Sequence, residues 1–205
     1  MSYFWLPNAA GNIRAQVPGA RLVFILRDPA ERLFTLYQGV LSGSDGTFRE
    51  HFQAALDPED SWAPHVGVGL YATHLRRFLD TFPRDSMRFY LYEDYCADPQ
   101  TVLRDVFAFL GVDPAYPIDV SHRHNRTMVP RFPILHAFRR RVLKDVPPMA
   151  WLPGGARRLL RRLYRRPRPQ GLMDPEDRRI VIDYYRDEIL RTADLIGRDL
   201  SAWLR

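Results

Sequence analysis

Apolar positions fall along this chain in two rhythms. Residues 21–26 (RLVFIL) are a short continuous apolar run of β-favouring side chains, the pattern of a buried strand in a parallel sheet. Residues 87–92 (MRFYLY) give a second strand. Elsewhere the apolar residues recur at helical spacing. Leu70, Leu75, Phe78, Leu79 and Phe82 fall near one face of a helix over 69–82. Further helices are predicted over 8–17 with Asn8 as cap, over 29–39 from Pro29, over 47–56, over 99–110 closed by Gly111, and over 134–144. Asp174, Pro175 and Glu176 supply a cap, a first-turn proline and an acid at the positive end of a helix running to about residue 190. Residues 41–46, 57–67 and 121–133 read as loops.

Strand and helix alternate, which points to an α/β domain. Two strands make a thin sheet, because a parallel sheet needs neighbours to cover both faces. The pattern therefore predicts a single helix-rich domain over 1–205 from which part is missing. A hydrophobic share of 46% and a charged share of 26% exclude global disorder. The longest strongly apolar run, residues 22–26, is far short of the roughly 20 residues of a bilayer span. The first residues lack the basic start and apolar stretch of a secretory signal. One cysteine, Cys96, excludes a disulfide framework and a multi-cysteine zinc site, so no metal is expected.

The net charge of +6 is unevenly placed. Eleven basic residues and a single acid lie between Arg139 and Arg168, a local charge of +10 that leaves the rest of the chain at −4. An anionic partner is therefore suggested for that segment alone. Within it, Arg157, Arg158, Arg161, Arg162, Arg165 and Arg166 occupy one half of a helix over 155–168, with Leu159, Leu160, Leu163 and Tyr164 on the other. Such a helix can lie on an anionic membrane surface or an acidic polymer, or pack its leucines on the core as an ordinary surface helix. No nucleic-acid recognition motif accompanies the charge, so nucleic acid is not an expected partner.

The best-placed chemistry is R27-D-P-A-E-R-L-F-T35. Arg27 directly follows the first strand, and ligands of open α/β sheets bind at the carboxyl ends of strands. The next helix opens near Pro29, and a helix N-terminus favours anions. A guanidinium, the Thr35 hydroxyl and a helix end can together hold a phosphate. The competing possibility is an Arg27 that pairs with Asp28 or Glu31 and a Thr35 that fills space.

That segment resembles the 3′-phosphate-binding motif of sulfotransferases that use 3′-phosphoadenylyl sulfate, with Arg27 and Thr35 at the phosphate-binding positions. G69-L-Y-A-T-H-L-R-R-F-L-D-T-F-P resembles the Tyr-x-x-His helix of the heparan-type branch. R88-F-Y-L-Y-E-D-Y-C-A-D-P is similar to the strand and acidic turn after it, and F107-A-F-L-G-V to the next helix end. H124-N-R-T resembles a loop closing over the nucleotide, and L195-I-G-R-D-L-S-A-W the terminal segment of bacterial members. The resemblance implies a three-layer α/β fold of the P-loop nucleoside-triphosphatase type and 3′-phosphoadenylyl sulfate as donor. It implies a hydroxyl or amine acceptor, such as a carbohydrate. It places His74 near the reacting groups as a catalytic residue and Arg126 beside the nucleotide.

The family's phosphosulfate-wrapping loop, rich in Gly, Lys or Arg and small hydroxyl residues, has no counterpart. The only lysine is Lys144, and the family's general base usually lies upstream too, so the resemblance implies a domain incomplete at its N-terminus. The chain is thus expected to bind the nucleotide through Arg27, Thr35 and Arg126 and to transfer little sulfate by itself. The rival expectations are a non-catalytic nucleotide-binding remnant, and a peripheral membrane or polyanion-binding module built on the arginine helix. Glu93 and Asp94 end the second strand; they either face the site, cap the helix near Pro99 or start a turn. The expected location is the cytoplasm or a membrane surface.

Overall fold

The structure, a computed structural model, describes residues 2–40, 46–120, 128–130, 165–167 and 172–205. The described residues within Met1–Phe34, Thr47–His122 and Met173–Arg205 form one compact unit, and those within Thr35–Gly46 and Arg123–Leu172 a second.

In the first unit, β1 (Leu22–Leu26) and β2 (Met87–Leu91) run parallel, with Leu22 opposite Met87 and Leu26 opposite Leu91. One face carries Phe24 stacked on Phe89 at 5.2 Å. Phe4 of α1 (Ser2–Trp5) and Phe78 of α6 (Tyr71–Leu79) meet Phe24 edge-on at 5.8 and 5.3 Å. The alternation of the strand sends Val23 and Ile25 to the other face, where they are 38% and 53% exposed. The continuous apolar run predicted burial on both faces; among the described residues β1 is covered on one.

The core lies between α6 and α9 (Pro175–Ile196). Tyr71, Ala72, Leu75 and Phe78 of α6 are buried, as are Val181, Ile182, Tyr185, Ile189 and Ile196 of α9. Gly69, just before α6, lets the Tyr185 ring approach: a Cβ there would lie 2.7 Å from the ring. The Tyr185 hydroxyl donates to the Val66 carbonyl at 2.7 Å, fixing that approach.

Punctuation residues set the other boundaries. In α4 (Phe48–Ala54), Thr47 and Glu50 form a reciprocal capping box. α2 (Ala9–Gln16) begins at the predicted place, but the Asn8 side chain makes no capping bond. α8 (Pro99–Leu110) starts on Asp98, which accepts from the Thr101 amide, and ends on Gly111 at φ 77°. α9 passes residue 190 and stops at Ile196 before Gly197, φ 68°. Two short helices replace predicted loop or turn: α5 (Ala63–Gly67), with Pro64 in its first turn, and α7 (Tyr92–Ala97), which begins as β2 ends. A 3₁₀ turn over Ser201–Leu204 closes the chain and buries Trp203.

α3 (Pro29–Val40) begins in the first unit and ends in the second. In the second unit β3 (Met128–Pro130) pairs antiparallel with β4 (Arg165–Pro167), Val129 opposite Arg166. Residues 128–130 are thus strand rather than loop. Arg165 and Arg166 are strand rather than the end of an amphipathic helix, since Pro167 disfavours helical backbone in the residue before it. The remaining residues of that arginine segment, and the helix expected over 134–144, lie outside the described residues. No described helix is long and apolar enough to cross a membrane.

Candidate functional site

Parallel pairing brings the carboxyl ends of β1 and β2 side by side, so Arg27 and Tyr92 follow matched residues, Leu26 and Leu91. The Arg27 guanidinium lies 5.1 Å from the centre of the Tyr92 ring. Its one ion pair among the described residues is loose, Nη2 to Glu31 Oε2 at 3.6 Å, and its side chain stays 24% exposed. The Tyr71 hydroxyl donates to the Arg27 carbonyl at 2.9 Å. This anchors the end of β1 to α6, and burial pushes the Tyr71 phenol above its ordinary value. The result is a cation at the strand's carboxyl edge, steadied on an aromatic face and accessible to solvent.

The N-terminus of α3 differs from expectation. Asp28 is buried, and its Oδ1 accepts from the amides of Ala30 at 2.8 Å and Glu31 at 3.1 Å. Its Oδ2 accepts from Arg178 Nη2 at 2.6 Å, and its own amide donates to Glu93 Oε1 at 3.3 Å. The positive end of the helix is thus already met by a carboxylate of the chain. An incoming phosphate is left to side chains, not to free backbone N–H groups.

His74, on α6 one turn past Tyr71, is buried with both ring nitrogens engaged. Nε2–H donates to the Gly67 carbonyl at 2.8 Å, and Nδ1 accepts from Arg77 Nη2. Two such partners fix the neutral, Nε2-protonated tautomer. Phe4 packs edge-on against the ring at 5.2 Å. Burial is the main cause that holds its pKa below the ordinary value, and the Arg77 charge adds to it.

Comparison with known proteins settles the family. A profile of the "Sulfotransferase family" matches residues 6–116, more than half of the chain and the whole stretch that carries Arg27, Thr35 and His74. The chain belongs to the sulfotransferase family. It is 28% identical over 217 residues to the bifunctional heparan sulfate N-deacetylase/N-sulfotransferase 4 of Mus musculus, covering 100% of this chain and 23% of that protein. It is 34% identical over 114 residues to the heparan sulfate glucosamine 3-O-sulfotransferase 6 of Homo sapiens, 54% of this chain and 33% of that one. A crystal structure of a sulfotransferase from Alicyclobacillus acidocaldarius matches with a TM-score of 0.68 at 24% identity, over 99% of this chain and 65% of the other. That likeness shows the fold, an α/β fold with a parallel sheet. The chain spans less than a quarter of the N-deacetylase/N-sulfotransferase and a third of the 3-O-sulfotransferase.

The remaining sequence-predicted positions of this chain are spread more widely. Thr35 lies on α3, half-buried, and its hydroxyl makes no hydrogen bond among the described residues. Arg126, with the H124-N-R-T loop, lies outside the described residues. Glu93 and Asp94 sit in the first turn of α7, where Glu93 receives the Asp28 amide and Asp94 accepts from Arg198 at 2.6 Å; Asp98 caps α8 instead. No group of three or more His, Cys, Asp or Glu gathers among the described residues.

Two polar residues that hold the site together escaped the sequence reading. Arg178 ties α9 to Asp28 and, through its Nε, to the Arg205 carbonyl at 2.6 Å. Glu188 is buried on the apolar face of α9 and accepts from the Thr73 amide at 3.1 Å, the Thr73 hydroxyl at 2.8 Å and Arg191 at 2.8 Å. Glu188 had a signal: it falls one turn from both Tyr185 and Thr192, on an otherwise uncharged stripe. Arg178 had none, since its partner is 150 residues away.

Proposed function

We propose that this chain binds 3′-phosphoadenylyl sulfate, with Arg27 and the Thr35 hydroxyl on its 3′-phosphate, and serves transfer of the sulfuryl group to an amine or hydroxyl of a carbohydrate. The single observation that carries the reading is the Arg27 guanidinium at the carboxyl edge of β1, stacked on Tyr92 and only loosely paired. Thr35, eight residues on in the sequence, joins the proposal on its motif position; its hydroxyl makes no hydrogen bond among the described residues. A phosphate dianion can take a charge-assisted bond from Arg27 without a carboxylate having to be displaced at short range. Because Asp28 fills the α3 terminus, Arg27 carries most of the recognition. Arg126 joins the proposal on its sequence position alone.

The acceptor class rests on the names of the relatives, which include both N- and O-sulfotransferases of a polysaccharide. In the reaction the acceptor nitrogen or oxygen forms a bond to sulfur while the bond from sulfur to the nucleotide phosphate oxygen breaks. The acceptor proton leaves to a base, and positive groups stabilise the departing phosphate. His74 enters as a positioning residue. As a neutral imidazole between Gly67 and Arg77 it orients that arginine and the turn before α6.

The test compares adenosine 3′,5′-bisphosphate with adenosine 5′-monophosphate. The proposal expects the bisphosphate to bind about tenfold more tightly or better, the size of one charge-assisted contact. Equal affinity for the two nucleotides contradicts it.

A further inference from the structure

At the end of the sheet opposite Arg27, three arginines line a cleft of about 470 Å³. Arg21 immediately precedes β1, Arg88 is the second residue of β2, and Arg14 comes from α2. Each is held by uncharged groups. Arg14 Nη1 donates to the Pro18 carbonyl and its guanidinium lies 5.8 Å from the Phe82 ring centre. Arg21 Nη1 donates to the Phe109 carbonyl, and Arg88 Nη1 to the Met87 carbonyl at 3.1 Å. Arg21 and Arg88 both lie over Phe109, at 5.7 and 4.5 Å from its centre.

None of the three is ion-paired among the described residues, whereas Arg49, Arg178 and Arg198 all bind carboxylates. Asp85 is the only acid in the lining, so the cleft is net positive. The Nε and Nη2 donors of all three guanidiniums have no hydrogen-bond partner among the described residues. Such an edge matches the oxygens of a sulfate or carboxylate in bidentate fashion. Rings and carbonyls already fix the side chains, so little ordering cost remains on binding. The volume suits part of a small or narrow ligand.

We propose that this cleft binds a sulfate- or carboxylate-bearing stretch of an acidic oligosaccharide, away from the Arg27 edge. The choice of saccharide rests on the carbohydrate reading above; the anion site rests on the cleft itself. The cleft would then retain a polyanionic chain while another part of it is presented for transfer.

The experiment titrates a sulfated oligosaccharide of defined length into the full chain and into the Arg14→Ala/Arg21→Ala/Arg88→Ala variant by calorimetry. An uncharged oligosaccharide of equal length and adenosine 3′,5′-bisphosphate serve as parallel ligands. The proposal expects the variant to bind the sulfated ligand about tenfold more weakly or worse, with a shallower salt dependence and unchanged nucleotide binding. Undiminished binding by the variant overturns it, because the arginine segment outside the cleft then accounts for all the affinity. Tighter binding of a single-stranded DNA of equal charge overturns the saccharide assignment. Nucleotide binding by the unaltered chain with no sulfated ligand bound overturns the cleft and leaves the donor reading standing; the reverse result rejects the donor reading and keeps the cleft. If the triple variant loses its fold, Arg21→Gln and Arg88→Gln singly replace it, with the same criterion.

Discussion

Asp28 and Arg178 lie 150 residues apart in the chain and meet at 2.6 Å, closing the first turn of α9 onto the first turn of α3. One carboxylate does two things there. Its Oδ1 caps the helix that follows β1, and its Oδ2 holds the C-terminal helix. Arg178 adds bonds to the Arg205 and Trp203 carbonyls, so residues 203–205 are tied to the turn that follows β1.

Removing that carboxylate should therefore cost more than a cap. Asp28→Ala loses the cap and leaves the Arg178 charge, on a side chain only 23% exposed, without its nearest partner. The expected destabilisation is about 2–4 kcal/mol, between a lost cap and a broken buried pair. Urea unfolding of the two proteins measures it. A loss below about 0.5 kcal/mol, the range of ordinary surface changes, would show that the pair does not hold α9 in place.

Gly69 and Gly67 make an internal comparison. A Cβ at Gly69 would strike the Tyr185 ring, and Tyr185 is itself pinned by Val66. Gly69→Ala should destabilise by about 1–3 kcal/mol, as overpacking does. Gly67 has nothing within 4 Å of its would-be Cβ and sits in α5, so Gly67→Ala should be neutral or mildly stabilising. Thermal unfolding of both variants separates a steric effect from a general intolerance of the turn.

His74 predicts a pH dependence. Burial, with Arg77 adding to it, depresses its pKa below the ordinary 6.5, while the Gly67 bond and the more distant Glu188 act the other way. The unfolded chain takes up the proton near that ordinary value and the fold resists it. Stability is then full above about pH 6.5 and falls as the pH drops toward the folded-state value. His74→Gln removes this component. Urea midpoints at about pH 7.5 and about pH 5.5 should fall further for the unaltered chain than for the variant. Parallel falls would mean that His74 is protonated as readily in the fold as out of it.

Much of the fold was legible because its boundaries are chemical. Strands β1 and β2 were placed to within a residue, and Pro99, Gly111 and Pro175 mark helix ends that local backbone chemistry dictates; Gly197 marks another, which the expected end near residue 190 passed over. The same logic applied fully would have corrected one site expectation. Asp28-Pro29, Asp98-Pro99 and Asp174-Pro175 share one helix-starting pattern, and in all three the aspartate bonds the helix amides. The α3 terminus was therefore taken by its own cap and was not open to a phosphate. α7 was missed because YEDYCA carries no apolar stripe, and its helix is held from outside by Asp28 and Arg198. Those contacts, like Arg178 with Asp28, join residues far apart in sequence. A local pattern shows only near pairs such as Arg27 with Glu31.

The central claim is that Arg27 recognises the 3′-phosphate of the donor nucleotide. Calorimetric titration of adenosine 3′,5′-bisphosphate into the full chain and its Arg27→Ala variant tests it most directly. Loss of a charge-assisted contact of about 1.5–3 kcal/mol should weaken binding at least tenfold, with Arg21→Ala unchanged as the comparison. Equal affinity in the unaltered chain and Arg27→Ala would contradict the assignment.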